Sequence, residues 1–170
     1  EVGSRGLGDV YKRQGVVRPG AAKRIRIKKD GHCQFRAVAV HTQGGQQWWK
    51  QVRERAAEWV QTHWLVVAED MAQRGVTLRS LLHRLQTGEV TVGTDHWGDE
   101  NTALIIAWAY GRPLRVHNAE GADVVYLPDA VHEEGEIEVW YNGRNHYEAV
   151  RRATNAVQNN YIDSTLAISK

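Results

Sequence analysis

The stretch Asp30-Gly31-His32-Cys33-Gln34-Phe35-Arg36-Ala37-Val38-Ala39 holds the only cysteine of a 170-residue chain, and its reading decides the fold. In the basic run just before it, Ile25 and Ile27 alternate with Lys and Arg. That period of two marks a half-buried strand, predicted at 25–28. Gly31 supplies a turn. From Cys33 the residues turn apolar and predict a helix that runs to the stop at Gly44-Gly45. A thiol placed at the start of a helix is a candidate nucleophile. It attacks only as thiolate, and the unpaired N–H groups of a helix N-terminus favour negative charge. The amides around Gly31, His32 and Cys33 are candidates to bind the oxygen of an attacked carbonyl. A lone cysteine is also commonly a small buried hydrophobe, so the remainder of the chain has to decide.

Downstream, the spacing of Trp48, Val52, Ala56, Trp59, Val60, His63 and Val67 predicts one long helix over 46–71. Thr77 reads as the N-cap of a short helix through Leu78, Leu81, Leu82 and Leu85 that closes at Gly88. A third major helix starts near Asp99, carries Leu104, Ile105, Ala107 and Trp108, and stops at Gly111. Strands follow at 114–117, 124–127, 137–141 and 146–150. Asn142-Gly143 followed by Arg144-Asn145 is a tight hairpin turn between the last two. Helices come first and strands cluster late, which is the α+β class.

The bulk properties fit one soluble domain: 42% hydrophobic and 25% charged residues. The longest apolar runs, such as 103–109, fall far short of a membrane span, and the first residues lack an apolar signal-peptide core. One cysteine makes no internal disulfide. Residues 1–29 carry nine Lys/Arg against two acids, a net of +7, which leaves −5 on 30–170. An acidic remainder offers no basic groove to extend the arm, so a nucleic-acid partner is not expected. Residues 6–14 (Gly-Leu-Gly-Asp-Val-Tyr-Lys-Arg-Gln) resemble a translated sequencing adapter and are set aside from the fold. The resulting expectation is a disordered segment at 1–22, a domain at 23–152 and a flexible tail at 153–170.

A catalytic thiol needs a base, and eight histidines are available. His146 opens the last predicted strand directly after the hairpin turn, and Glu148, two residues on, shares its face. A carboxylate there would orient the imidazole. His41, His63, His83, His96, His117 and His132 show no paired ligand spacing and read as surface or core residues.

Three segments together resemble the ovarian tumour (OTU) family of cysteine proteases. Asp30-Gly31-His32-Cys33-Gln34-Phe35-Arg36-Ala37 looks like that family's nucleophile motif, Asp-Gly-x-Cys-x-Phe-Arg-Ala. Trp97-Gly98-Asp99-Glu100 and the helix ending Tyr110-Gly111-Arg112-Pro113-Leu114 resemble its Trp-Gly segment with the following helix and strand. Tyr141-Asn142-Gly143-Arg144-Asn145-His146-Tyr147-Glu148-Ala149-Val150 resembles its closing histidine motif. The motifs occur in family order over 25–151.

The resemblance implies a papain-like OTU fold, a small and mostly antiparallel central sheet flanked by helices. It implies a thiol peptidase that cleaves after the C-terminus of ubiquitin or a ubiquitin-like protein, with no cofactor and no metal. Cys33 is then the nucleophile, His146 the base and Asp30 an active-site aspartate. Glu148 stands where the family usually has Asp or Asn. Gly31 and His32 belong to the oxyanion loop, and Trp97 and Asn145 border the substrate channel. The expected partners are ubiquitin or ubiquitin-like conjugates, without nucleic acid or membrane, for a monomer working in the cytoplasm of its own or a host cell. The alternatives are a viral or mobile-element polyprotein protease, and a ubiquitin-binding module whose Cys33/His146 pair is idle.

Overall fold

The structure is a computed structural model that describes residues 10–13, 21–86, 93–130 and 134–153. Among these residues six strands form one open sheet in the order β1-β4-β3-β5-β6-β2. In chain order they are β1 Val10–Arg13, β2 Ala22–Ile25, β3 Leu114–Asn118, β4 Asp123–Tyr126, β5 Ile137–Tyr141 and β6 Tyr147–Arg152. Every neighbouring pair is antiparallel except β3 with β5. Among the described residues five α-helices accompany it: α1 Cys33–Thr42, α2 Trp49–Thr62, α3 Trp64–Gln73, α4 Leu78–Gln86 and α5 Glu100–Tyr110. This is the α+β class expected from the order of the elements.

The first helix organises the core. Phe35, Ala37, Val38 and Ala39 are fully buried, because α1 is covered by β5 and β6 and by α2. Burying the Phe35 side chain alone contributes about 2–3 kcal/mol. A helix apolar on most sides belongs in the middle of a domain. Its first residue, Cys33, consequently emerges at the sheet where the β5–β6 hairpin turns.

That hairpin is built by Asn142. Its side-chain oxygen accepts the backbone N–H groups of Arg144, Asn145 and His146 at 2.8, 2.9 and 3.1 Å, and Gly143 takes the left-handed φ of 83° that the turn requires. α5 is equally well specified. Asp99 accepts from Asn101 and Thr102, Thr102 returns a bond to the Asp99 N–H, and Gly111 ends the helix at φ 61°. Thr77 caps α4 through the Ser80 N–H at 3.1 Å. Gly88, its expected stop, lies outside the described residues, as do 154–170 of the expected tail.

Three expectations are corrected. The single helix over 46–71 is instead a 3-10 turn at Gln46–Trp48 followed by α2 and α3. His63 interrupts it at φ −114° and ψ 30°, its ring stacked on Trp59 and its Nδ1 2.9 Å from the Trp59 carbonyl. The apolar spacing continues through the break, so periodicity alone does not show it. The strand expected at 25–28 lies earlier, at Ala22–Ile25, where it pairs with β6; Ile27 is buried beyond the ladder. Finally, Val10–Arg13, excluded from the fold on sequence, pairs with β4 as an edge strand, since β4 otherwise has one unpaired side.

Candidate functional site

The thiol of Cys33 lies against the hairpin, donating to the carbonyl of Asn145 at 3.9 Å. The backbone N–H of Tyr147 is directed at the same sulfur, as is that of Gln34. Asn145 and Tyr147 flank His146. Consecutive Cα atoms are about 3.8 Å apart, so the main chain of His146 passes within a side chain's reach of the sulfur. The pairing comes from α1 packing on β6.

Both groups are buried, and burial sets their protonation. It raises the Cys33 thiol above its ordinary value, against the pull of the Tyr147 and Gln34 N–H groups. Burial likewise lowers the His146 imidazole, helped by Lys29 and opposed by Glu148 and Asp30. Both shifts favour the uncharged forms, a thiol and a neutral imidazole. Nε2 of His146 is buried without a hydrogen-bond partner. Glu148, on the same face, makes a loose ion pair with Arg24 at 3.8 Å, its one such pair among the described residues.

Asp30 does different work. Its Oδ2 accepts from Arg36 Nε and Nη2 at 3.0 and 2.9 Å, and its Oδ1 from Arg36 Nε and the His32 N–H at 3.1 and 2.9 Å. Burial acts against its charge, but these bonds and the Arg36 guanidinium outweigh it and hold the carboxyl below its ordinary value. Asp30 thus braces the loop as an Asx-turn. One consequence corrects the expected oxyanion loop: the His32 N–H is taken by Asp30, and the His32 ring is buried against Trp49 at 3.5 Å. The amide beside the sulfur that remains loosely held is that of Cys33, 3.4 Å from the Asp30 carbonyl.

A cleft of about 460 Å³ opens here, lined by Lys29, Asp30 and Gly31 on one wall, Gly93 and Trp97 on another, and Asn142, Asn145 and His146 on the third. Trp97 and Asn145, expected at the channel, line this cleft. A second hollow of about 790 Å³ adjoins it through Lys29, Asn142 and His146, and carries Arg24, Arg26, Lys28 and Glu148. Among the described residues no cluster of three or more His, Cys, Asp and Glu side chains is arranged to hold a metal ion. No described helix is long and apolar enough to cross a membrane.

Two groups escaped the sequence reading. His96 is buried with its ring against Gly31, so closely that a Cβ at Gly31 would meet Nε2 at 2.2 Å. Gln34 ties α1 to α5, donating to the Asp99 carbonyl at 2.9 Å and accepting from Thr102 Oγ1 at 2.6 Å. Both join segments distant in sequence, and no local signal marks them.

The site and sheet together define an α+β domain in which the cysteine that leads a buried helix lies against the β5–β6 hairpin, at the residue before His146. No family model matches the sequence, and no curated protein does. Solved structures do. The viral OTU domain protease of Farallon virus aligns at TM-score 0.63 and 21% identity, over 85% of this chain and 92% of that one. The Hazara virus OTU bound to ubiquitin aligns at 0.61 and 14%, over 86% and 90%. The OTU domain of OTUD1 aligns at 0.60 and 16%, over 76% and 85%. The chain has the fold of an OTU domain.

Proposed function

We propose that this protein is a thiol peptidase that hydrolyses the isopeptide or peptide bond after the C-terminus of ubiquitin or a ubiquitin-like protein. The carrying observation is the Cys33 sulfur lodged between the main-chain groups that flank His146, with Asn145 and His146 themselves lining an open cleft. The fold it shares with an OTU solved in complex with ubiquitin supports the choice of substrate.

In this mechanism the extended C-terminus of the substrate lies in the cleft past Trp97 and Asn145. His146, held as free base, takes the Cys33 proton as sulfur attacks the glycine carbonyl carbon. The Cys33 amide receives the developing oxyanion, an interaction worth about 3 kcal/mol in such sites. The imidazolium then protonates the departing lysine amine, leaving a thioester. His146 next removes a proton from water, the hydroxide adds to the thioester, and the thiolate leaves and recovers the proton. The bonds are expected to tighten when substrate fills the cleft.

Glu148 is the carboxylate that orients His146, because Asp30 already spends its oxygens on Arg36 and His32. Glu148→Gln is expected to lower kcat about tenfold. Glu148 raises the His146 pKa, so its loss also moves the acidic limb of the kcat/KM profile to lower pH. An unmoved limb removes Glu148 from the mechanism.

The substrate assignment is tested with a ubiquitin bearing a C-terminal electrophile and with a panel of di-ubiquitins. The protein should gain one ubiquitin on its single cysteine and cleave at least one linkage. Failure to react with ubiquitin and with every ubiquitin-like probe would reject the substrate class, and cleavage of its own precursor alone would favour polyprotein processing.

A further inference from the structure

α2 carries a buried cation, three of whose four hydrogen bonds go to the loops that frame the site. Arg53 is 2% exposed. Its Nε donates to His32 Nδ1 at 3.1 Å, its Nη1 to the Arg84 carbonyl at 2.7 Å, and its Nη2 to the carbonyls of Gly31 and His96 at 3.1 and 2.7 Å. Its guanidinium lies over the Phe35 ring, 3.8 Å from the centroid. Every acceptor is neutral, and among the described residues no carboxylate lies within ion-pair distance of it. A buried charge in this condition is costly, and an apolar side chain of similar volume usually serves stability as well or better. A function is the better account of its presence.

We propose that Arg53 is a positioning residue for Cys33: its planar fork clamps the Gly31–His32 segment that leads into the nucleophile to the His96 carbonyl of the Trp97 loop, and its unpaired positive charge favours the Cys33 thiolate. The inference rests on the peptidase reading but acts on the thiol itself. The fork geometry is needed, because two donors on one nitrogen bridge the two cleft walls while Nε holds the imidazole of His32. Held this way, His32 is neutral, its pKa pushed down to about 4 by burial and then by Arg53. The Gly31 carbonyl turned to Arg53 also directs the opposite end of that peptide, the His32 N–H, to Asp30. The bracket therefore fixes both sides of the loop and leaves the Cys33 amide facing the sulfur. The charge lies close by as well: the guanidinium sits over the ring of Phe35, two residues beyond Cys33, and the charges of Asp30 and then Cys33 favour its charged form against burial.

The experiment compares Arg53→Met and Arg53→Lys in the full chain, with two readouts. One is the rate of Cys33 alkylation by iodoacetamide against pH, which needs no ubiquitin. The titratable or charged groups that act on Cys33 are Asp30 from its own loop, Tyr141 and Tyr147 from the hairpin, and Arg53 from α2, with His146 next in the chain to the Asn145 carbonyl that the thiol meets; only Arg53 changes. The other is kcat and KM on a fluorogenic ubiquitin substrate. Arg53→Met should fold, shift the alkylation midpoint upward by about one pH unit, and lower kcat about 100-fold with KM within twofold. Arg53→Lys keeps the charge without the fork, so it should retain the wild-type alkylation midpoint but not kcat. A folded Arg53→Met with wild-type alkylation and kcat overturns the proposal. Should the Met variant not fold, Arg53→Lys with undiminished kcat overturns the bracket. If ubiquitin proves to be no substrate, the alkylation profiles still decide the effect on the thiol.

Discussion

Cys33→Ala is expected to abolish turnover, lowering kcat by about 10⁵–10⁶-fold, the loss seen when a nucleophile is deleted from a hydrolase. The fold should survive. The change removes one sulfur from a residue 9% exposed, whose bond to the Asn145 carbonyl is long at 3.9 Å, so the cost is about 1 kcal/mol or less. The thiol is the only one in the chain. Mass spectrometry of the ubiquitin-probe adduct is therefore unambiguous: one adduct for the wild type and none for the variant. Affinity for unmodified ubiquitin should be retained within a few-fold, because the cleft walls at Lys29–Gly31, Trp97 and Asn142–His146 do not depend on the sulfur. Turnover by Cys33→Ala within tenfold of wild type would remove Cys33 from the chemistry. Loss of ubiquitin binding together with turnover would show that the site had collapsed.

Much of the frame behind this expectation was readable in one dimension. The start of α1 at Cys33, the Asp99 cap, the Gly111 stop and the Asn142-Gly143 turn all follow from residues whose local chemistry forces a conformation. The 3.6-residue stripe read correctly over α2, with Val52, Ala56 and Val60 fully buried, but not at its ends: Trp48, in the 3-10 turn, is 47% exposed and His63, at the break, faces solvent. It carried a further signal that went unused. Arg53 lies beside Val52, and its i+4 and i+7 neighbours Ala57 and Val60 are buried as well, so a charge sits on the core face of the helix. A cation at such a position has to find acceptors, and here three of the four belong to the loops that frame the site.

Other features are not written locally. The break at His63 leaves the apolar period intact, and only the capture of the Trp59 carbonyl by the ring betrays it. The roles of Asp30 and Glu148 could not be separated by spacing, since each is an acid near a candidate catalytic residue. Their surroundings separate them: Asp30 is saturated by Arg36 and His32, whereas the one cation within ion-pair distance of Glu148 among the described residues is Arg24, at 3.8 Å. The sheet order places β5 beside β3 and β6 beside β2. Strand patterns carry no information about such non-local pairing.

Gly31→Ala should be the most damaging change that leaves every reactive group in place. A Cβ at this position would sit 2.2 Å from His96 Nε2, 2.7 Å from its Cδ2 and 3.2 Å from Trp97 Cδ1. The ring cannot simply yield: His96 is 1% exposed, and its carbonyl is held by Arg53 at 2.7 Å. The methyl therefore pushes either the nucleophile loop or the Trp97 wall of the cleft. Overpacking of this kind costs about 1–3 kcal/mol, and a displacement near one ångström at a reacting centre costs about 100-fold in rate. Gly31→Ala is thus expected to lose about 2 kcal/mol in urea unfolding and about 100-fold in kcat. His96→Ala provides the control. Neither ring nitrogen of His96 has a hydrogen-bond partner, so deleting the ring removes a buried polar cost along with its packing. In the double variant the new methyl enters the space the ring vacates. Stability and kcat should both recover relative to Gly31→Ala, with a coupling of about 1–2 kcal/mol. Additive losses in the double variant would mean that the close approach of His96 to Gly31 is not what requires glycine before the nucleophile.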